Sequence, residues 1–204
     1  MNPAVCSLMP PLPTFRRPRF AGAARQTGNL AISAVLISAI VGSVFSAPTQ
    51  GEARDEYQVK AAFLYNFARF VEWPAEAFTG PADPIVTCIL GKDPFGRWLK
   101  EAINGRSIEG RPLTLRHIAG AAEAASCQIL FVGSSEPKRV WAALAGVRRV
   151  LTVGECGDAS EGGAIVNFVI EDGKVRFEIN TEAAELGKMR ISSRLLSLAR
   201  LTRR

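Results

Sequence analysis

Ile85-Val86-Thr87-Cys88-Ile89-Leu90-Gly91-Lys92-Asp93-Pro94-Phe95-Gly96 sets a six-residue run, apolar but for Thr87, against a Gly-Lys-Asp-Pro turn. A short run of this kind, rich in β-branched residues and stopped by Gly, reads as a strand buried on both faces. Asp93 reads as the N-cap and Pro94 as the first residue of a helix carrying Phe95, Trp98, Leu99 and Ile103, closed by Asn104-Gly105. The same alternation continues outward. Leu113–Ile118 is a strand, the Ala-rich 119–126 a short helix, and Ile129–Val132 a third strand. A helix with Val140, Trp141 and Leu144 follows, then a fourth strand over Val147–Val153. Strands alternating with helices predict a mostly parallel sheet covered on both faces.

Upstream, Glu56–Trp73 reads as an amphipathic helix that Pro74 ends. Its apolar face would be Val59, Phe63, Phe67, Phe70 and Val71, with Lys60, Asn66 and Arg69 between them. Downstream the pattern changes. Ala164–Ile170 and Lys174–Asn180 alternate around Glu171-Asp172-Gly173, a hairpin signal, so the sheet should carry an antiparallel hairpin at one edge. Thr181–Leu201 reads as helix interrupted at Gly187. The fold class is therefore α/β: a single three-layer domain with a mostly parallel sheet, a hairpin at one edge and flanking helices.

The chain has 204 residues and a net charge of +6, distributed unevenly. Residues 1–53 hold four Arg and one acid, Glu52, which leaves residues 54–204 with a surplus of only +3. A nucleic-acid partner would call for more positive charge on the folded part. Within the arm, Leu30–Phe45 is an apolar stretch between a basic region and a small-residue exit. Those are the parts of a secretory signal peptide, with possible cleavage after Ser46 or Ala53. Residues 1–53 are thus read as an export segment and 54–204 as the exported domain. An uncleaved membrane anchor is the alternative.

Export permits disulfides. Cys88 lies inside a strand and Cys127 directly precedes another, so the two are either bridged across neighbouring strands or packed as buried thiols. Cys6 lies in the arm, and Cys156, in a Gly-rich loop, is a possible free thiol. One His, His117, and no Cys-x-x-Cys leave nothing with zinc-site spacing, and no cofactor motif is present. Gly133-Ser134-Ser135 is not a nucleophile elbow, and no carboxylate pair is set for acid–base work, so no catalytic residue is assigned and an enzyme is not expected. Open α/β sheets bind ligands at strand carboxyl ends, where Lys92 is a possible anion contact. The polar loop 154–163, with Glu155, Asp158 and Glu161, is the candidate partner-binding surface.

Five blocks in order resemble the YfiR family. They are Lys60-Ala61-Ala62-Phe63-Leu64-Tyr65-Asn66-Phe67-Ala68-Arg69-Phe70-Val71-Glu72-Trp73-Pro74, Cys88–Gly96, Cys127–Val132, Gly162-Gly163-Ala164-Ile165-Val166-Asn167-Phe168 and Ile191-Ser192-Ser193-Arg194-Leu195-Leu196. The resemblance implies a non-catalytic periplasmic regulator that represses a membrane-bound diguanylate cyclase by binding its periplasmic sensor domain. It also implies homodimers and redox-dependent disulfides. Cys88 and Cys127 match one such bridge. A second pair occurs in some members near Cys156, but its upstream partner is missing here: Arg149 stands seven residues before Cys156. A periplasmic small-ligand-binding protein using the strand-end loops is the alternative reading.

Overall fold

The computed structural model describes residues 50–155 and 162–202, with side chains from Glu56 onward. Residues 1–49 of the export segment, Cys6 among them, and Cys156, Asp158 and Glu161 lie outside the described residues, while its last four residues begin the first helix. The helices are α1 (Gln50–Phe70), α2 (Arg97–Ile103), α3 (Arg139–Leu144), α4 (Thr181–Leu186) and α5 (Ser193–Leu196). The strands are β1 (Val71–Glu72), β2 (Ile85–Leu90), β3 (Ser107–Ile108), β4 (Arg111–Ile118), β5 (Ile129–Val132), β6 (Leu151–Glu155), β7 (Val166–Glu171), β8 (Lys174–Asn180), β9 (Arg190–Ile191) and β10 (Arg200–Thr202). A 3₁₀ segment, Ala121–Ser126, takes the place of the Ala-rich helix.

Eight strands form one sheet in the order β10-β8-β7-β6-β5-β2-β4-β3. From β4 through β2, β5 and β6 to β7 every pairing is parallel. The β7–β8 pairing is antiparallel, and β10 lies parallel to β8 outside it, so the hairpin is one strand in from the edge. At its tip Asp172 and Gly173 have φ of 50° and 70°, the left-handed pair that a tight two-residue turn requires. β1 and β9 form a separate antiparallel pair, Val71 opposite Ile191, which fastens the end of α1 to the C-terminal segment.

Side chains alternate faces along a strand, and that parity builds two cores. Ile85 and Ile89, Ile129 and Phe131, Leu151 and Val153, Val166 and Phe168, and Phe177 and Ile179 face α1 and α2. Cys88 and Leu90, with Leu130 and Val132, face Trp141 and Leu144 of α3 and the 3₁₀ segment. Phe63 and Phe67 of α1 pack against Phe168 and Phe177 at ring separations of 5.1–6.1 Å, mostly edge-on or tilted. Cys88 and Cys127 are disulfide-bonded, Cα to Cα 5.9 Å, joining the middle of β2 to the residue just ahead of β5.

The expected face of α1 is rotated. The buried residues are Lys60, Ala61, Leu64, Phe67, Ala68 and Val71, whereas Val59 is exposed and Phe63 half-buried. The expected helix start at Asp93 is also displaced: its side chain accepts the amides of Phe95 and Gly96, and α2 begins only at Arg97. The fourth strand starts at Leu151 and runs to Glu155, later than expected.

The single C-terminal helix expected over Thr181–Leu201 is replaced by two short helices and two short strands. Asn180 caps α4, its Oδ1 accepting the Ala183 amide. The helix ends with Met189 N–H bonded to Ala184 O and Lys188 N–H to Glu185 O, a Schellman closure. The left-handed residue is Lys188 (φ 57°), one position after Gly187. Ser192 then caps α5. Because Lys188 is exposed and a side chain in this conformation is strained, Lys188→Gly is expected to stabilise the fold by about 0.5–1 kcal/mol, read as a higher midpoint in urea.

Candidate functional site

The parity that points Leu151 and Val153 at α1 carries Glu155, two residues further along β6, to the same side. Glu155 is only 7% exposed. It was expected in the exposed contact loop; the structure places it at the end of a strand, with its carboxylate inside the protein. Lys60, buried on the facing side of α1, forms salt bridges with Glu155 and with Glu56 one helical turn before it. The Tyr57 hydroxyl donates to Glu155 at 3.2 and 3.3 Å, and the Ser134 amide donates to Oε1 at 3.2 Å. The ammonium also lies 4.6 Å from the Tyr57 ring centroid, a cation–π geometry.

One carboxylate thus receives an ammonium, a phenol and a backbone amide from three different segments. Burial first, then the charges of Glu155 and Glu56, push the Tyr57 hydroxyl above its ordinary range, so it stays a donor at physiological pH. The Glu155 charge is thus compensated in place by the Lys60 ammonium.

The other candidates fall apart in space. Lys92 is exposed in the turn after β2. This turn flanks the switch point between β2 and β5, where strand order reverses and a ligand crevice would open. A Cβ on Gly91 (φ 90°) would lie 2.4 Å from Glu136 Oε1, so the Glu136 carboxylate rests on the Gly91 backbone, beside the expected anion contact. His117 pairs with Asp93 at 3.1 Å, tying β4 to the same turn. Among the described residues no three His, Cys, Asp or Glu side chains form a metal-holding group, and no helix is long and apolar enough to cross a membrane.

Two block residues hold the sheet's entrance together. Trp73 Nε1 donates to Gln128 O at 3.1 Å, while the buried Gln128 side chain accepts from Val86 N and donates to Ala77 O. This three-way brace went unread in the sequence; Gln128 between Cys127 and an apolar run, a polar residue entering a two-sided core, was the signal for it. The Lys60–Glu155 pair had a signal too: Lys60 falls on the stripe Tyr57, Ala61, Leu64, Ala68, and Glu155 continues the Leu151, Val153 alternation.

A family model described as YfiR/HmsC-like matches residues 57–200. Among solved structures, a conserved domain protein from Vibrio cholerae O1 biovar El Tor is similar over 59% of this chain and 55% of its own, at 14% identity and a TM-score of 0.42. The chain spans about half the length of that protein. No curated protein matches.

Lys60→Met leaves a buried carboxylate without its cation and is expected to cost about 3–5 kcal/mol, with Lys60→Met/Glu155→Leu recovering most of it in a double-mutant cycle of urea midpoints. For Tyr57 the folded protein holds the proton more tightly than the unfolded chain. Stability from this group is therefore complete below pH ~10 and declines as pH rises past it. Tyr57→Phe should flatten that alkaline decline in urea midpoints measured between pH 9 and 11.

Proposed function

The chain belongs to the YfiR/HmsC-like family, and on that premise we propose that it is an exported periplasmic regulator that binds the outward-facing domain of an inner-membrane diguanylate cyclase and represses it. The observation that carries this reading is the family match itself, which runs from α1 to the first residue of β10. The Cys88–Cys127 bridge supports an oxidising compartment, because cytosolic thiols are kept reduced. The chemistry of the described residues supports binding over turnover. In the interior Lys60 is paired with Glu155 and with Glu56, and at the switch point the Glu136 carboxylate rests against Gly91.

A repressor of this kind acts by binding one of two receptor states more tightly, since a ligand with equal affinity for both shifts nothing. Glu155 is withdrawn from the contact surface by its burial. Asp158 and Glu161, with the neighbouring hairpin whose Ile170 is 52% exposed, remain the proposed contact region, and a homodimer is the proposed assembly. Affinity capture with the tagged protein in envelope extracts should recover an inner-membrane protein with a cyclase domain, and deletion of the gene should raise cyclic diguanylate and biofilm. Capture of no membrane protein, together with unchanged cyclic diguanylate, contradicts the reading.

A further inference from the structure

On the far side of the sheet from α1, at the amino-terminal end of β6, lies an open groove of about 250 Å³. Trp141 and Leu144 of α3 form one wall, Ile165 the floor, and Leu186 of α4 the other wall. Trp141, Leu144 and Ile165 keep only 4–6% of their surface exposed whereas Leu186 keeps 65%, so Leu186 supplies most of the apolar surface still available to cover something. Arg148 and Arg149 stand on the rim. Arg148 donates through Nη1 to the carbonyls of Ala145 and Val147, and Arg149 through Nη1 to that of Glu76. A guanidinium has five N–H donors, so both keep others to offer. Among the described residues the groove lining contains no Asp or Glu.

Arg149 also has a φ of 64°. That is the left-handed region, which a residue with a Cβ rarely adopts. A position where Gly or Asn would sit without strain is held by Arg, with its Nη1 held by the Glu76 carbonyl. Backbone strain of this sort gathers where a side chain has to be aimed.

We infer that this groove binds a small organic carboxylate with an apolar body, the carboxylate on Arg148 and Arg149 and the body between Trp141 and Leu186. At about 250 Å³ the groove falls just below the roughly 300–1,000 Å³ of drug-sized ligand sites, so the ligand is small. Charge selects the head: two guanidiniums that bond no carboxylate among the described residues, beside apolar walls, favour an anion bonded through a fork, and disfavour a neutral or cationic amphiphile. The groove lies at the opposite end of β6 from Glu155; Gly162 and Gly163, which end the loop proposed to meet the cyclase, belong to its lining, and ligand binding there is read without the cyclase.

Titration calorimetry of the full-length protein with octanoate, octanol and octylammonium tests this. Octanoate should bind with a submillimolar Kd and the other two at least tenfold more weakly. Arg148→Gln/Arg149→Asn, in which Asn tolerates the left-handed backbone, should weaken octanoate at least tenfold. Ala183→Phe, which fills the groove from α4, should abolish binding. Should the double variant fail to fold, Arg148→Gln alone serves, because its backbone is unstrained. Absence of binding at millimolar octanoate, equal binding of octanol, or unchanged affinity in the arginine variants overturns the inference.

Discussion

Strands β2, β5 and β6 carry helices or the 3₁₀ segment on both faces, so their side chains are withdrawn from bulk water and each polar atom among them needs a partner within the protein. The polar groups in this layer obey that demand in specific ways. Thr152 accepts the Ile165 amide, Gln128 spans β2 and the segment after α1, and Glu155 gathers Lys60, Tyr57 and the Ser134 amide. Each bond joins segments far apart in sequence, so the interior polar groups fix how α1 sits on the sheet as well as satisfying themselves. Asn167, on β7, departs from the rule: its Oδ1 is buried with no hydrogen-bond partner among the described residues.

The same demand separates structure from recognition. Charges that a sequence reader would assign to a contact surface are, in the case of Lys60 and Glu155, used up in holding α1 in place. The charges left for a ligand are those that meet no carboxylate among the described residues, and Arg148 and Arg149 stand out because apolar walls lie beside them. The two ends of β6 thus differ in kind. One is closed by an internal ion pair, and the other is open and lined by exposed cations.

Much of the architecture was legible because it rests on local chemistry. β2 and β5 are short apolar runs with Gly or Cys at their borders, and the Asp172-Gly173 turn announces its hairpin through two residues that tolerate positive φ. The misread parts were decided by distant partners. Nothing local in Arg190-Ile191 predicts a strand; Val71 and Glu72 make it one. Arg200–Thr202 becomes a strand through β8, and Lys188 takes a conformation that the adjacent Gly187 would have suggested for itself. The face of α1 was misplaced because a charged residue on the stripe was taken for a solvent position, when its counter-charge lay 95 residues away. The same mistake from the other side put Glu155 in a loop.

The margins of the large sheet are covered unevenly. β3 pairs only Arg111 and Pro112 of β4, and β10, which begins at Arg200, pairs only Glu178 to Asn180 of β8. Among the described residues the outer edge of β4 from Thr114 to Ile118 therefore meets no strand. A sheet edge left open presents amides and carbonyls that an added strand can zip onto, with little regard for the sequence of that strand.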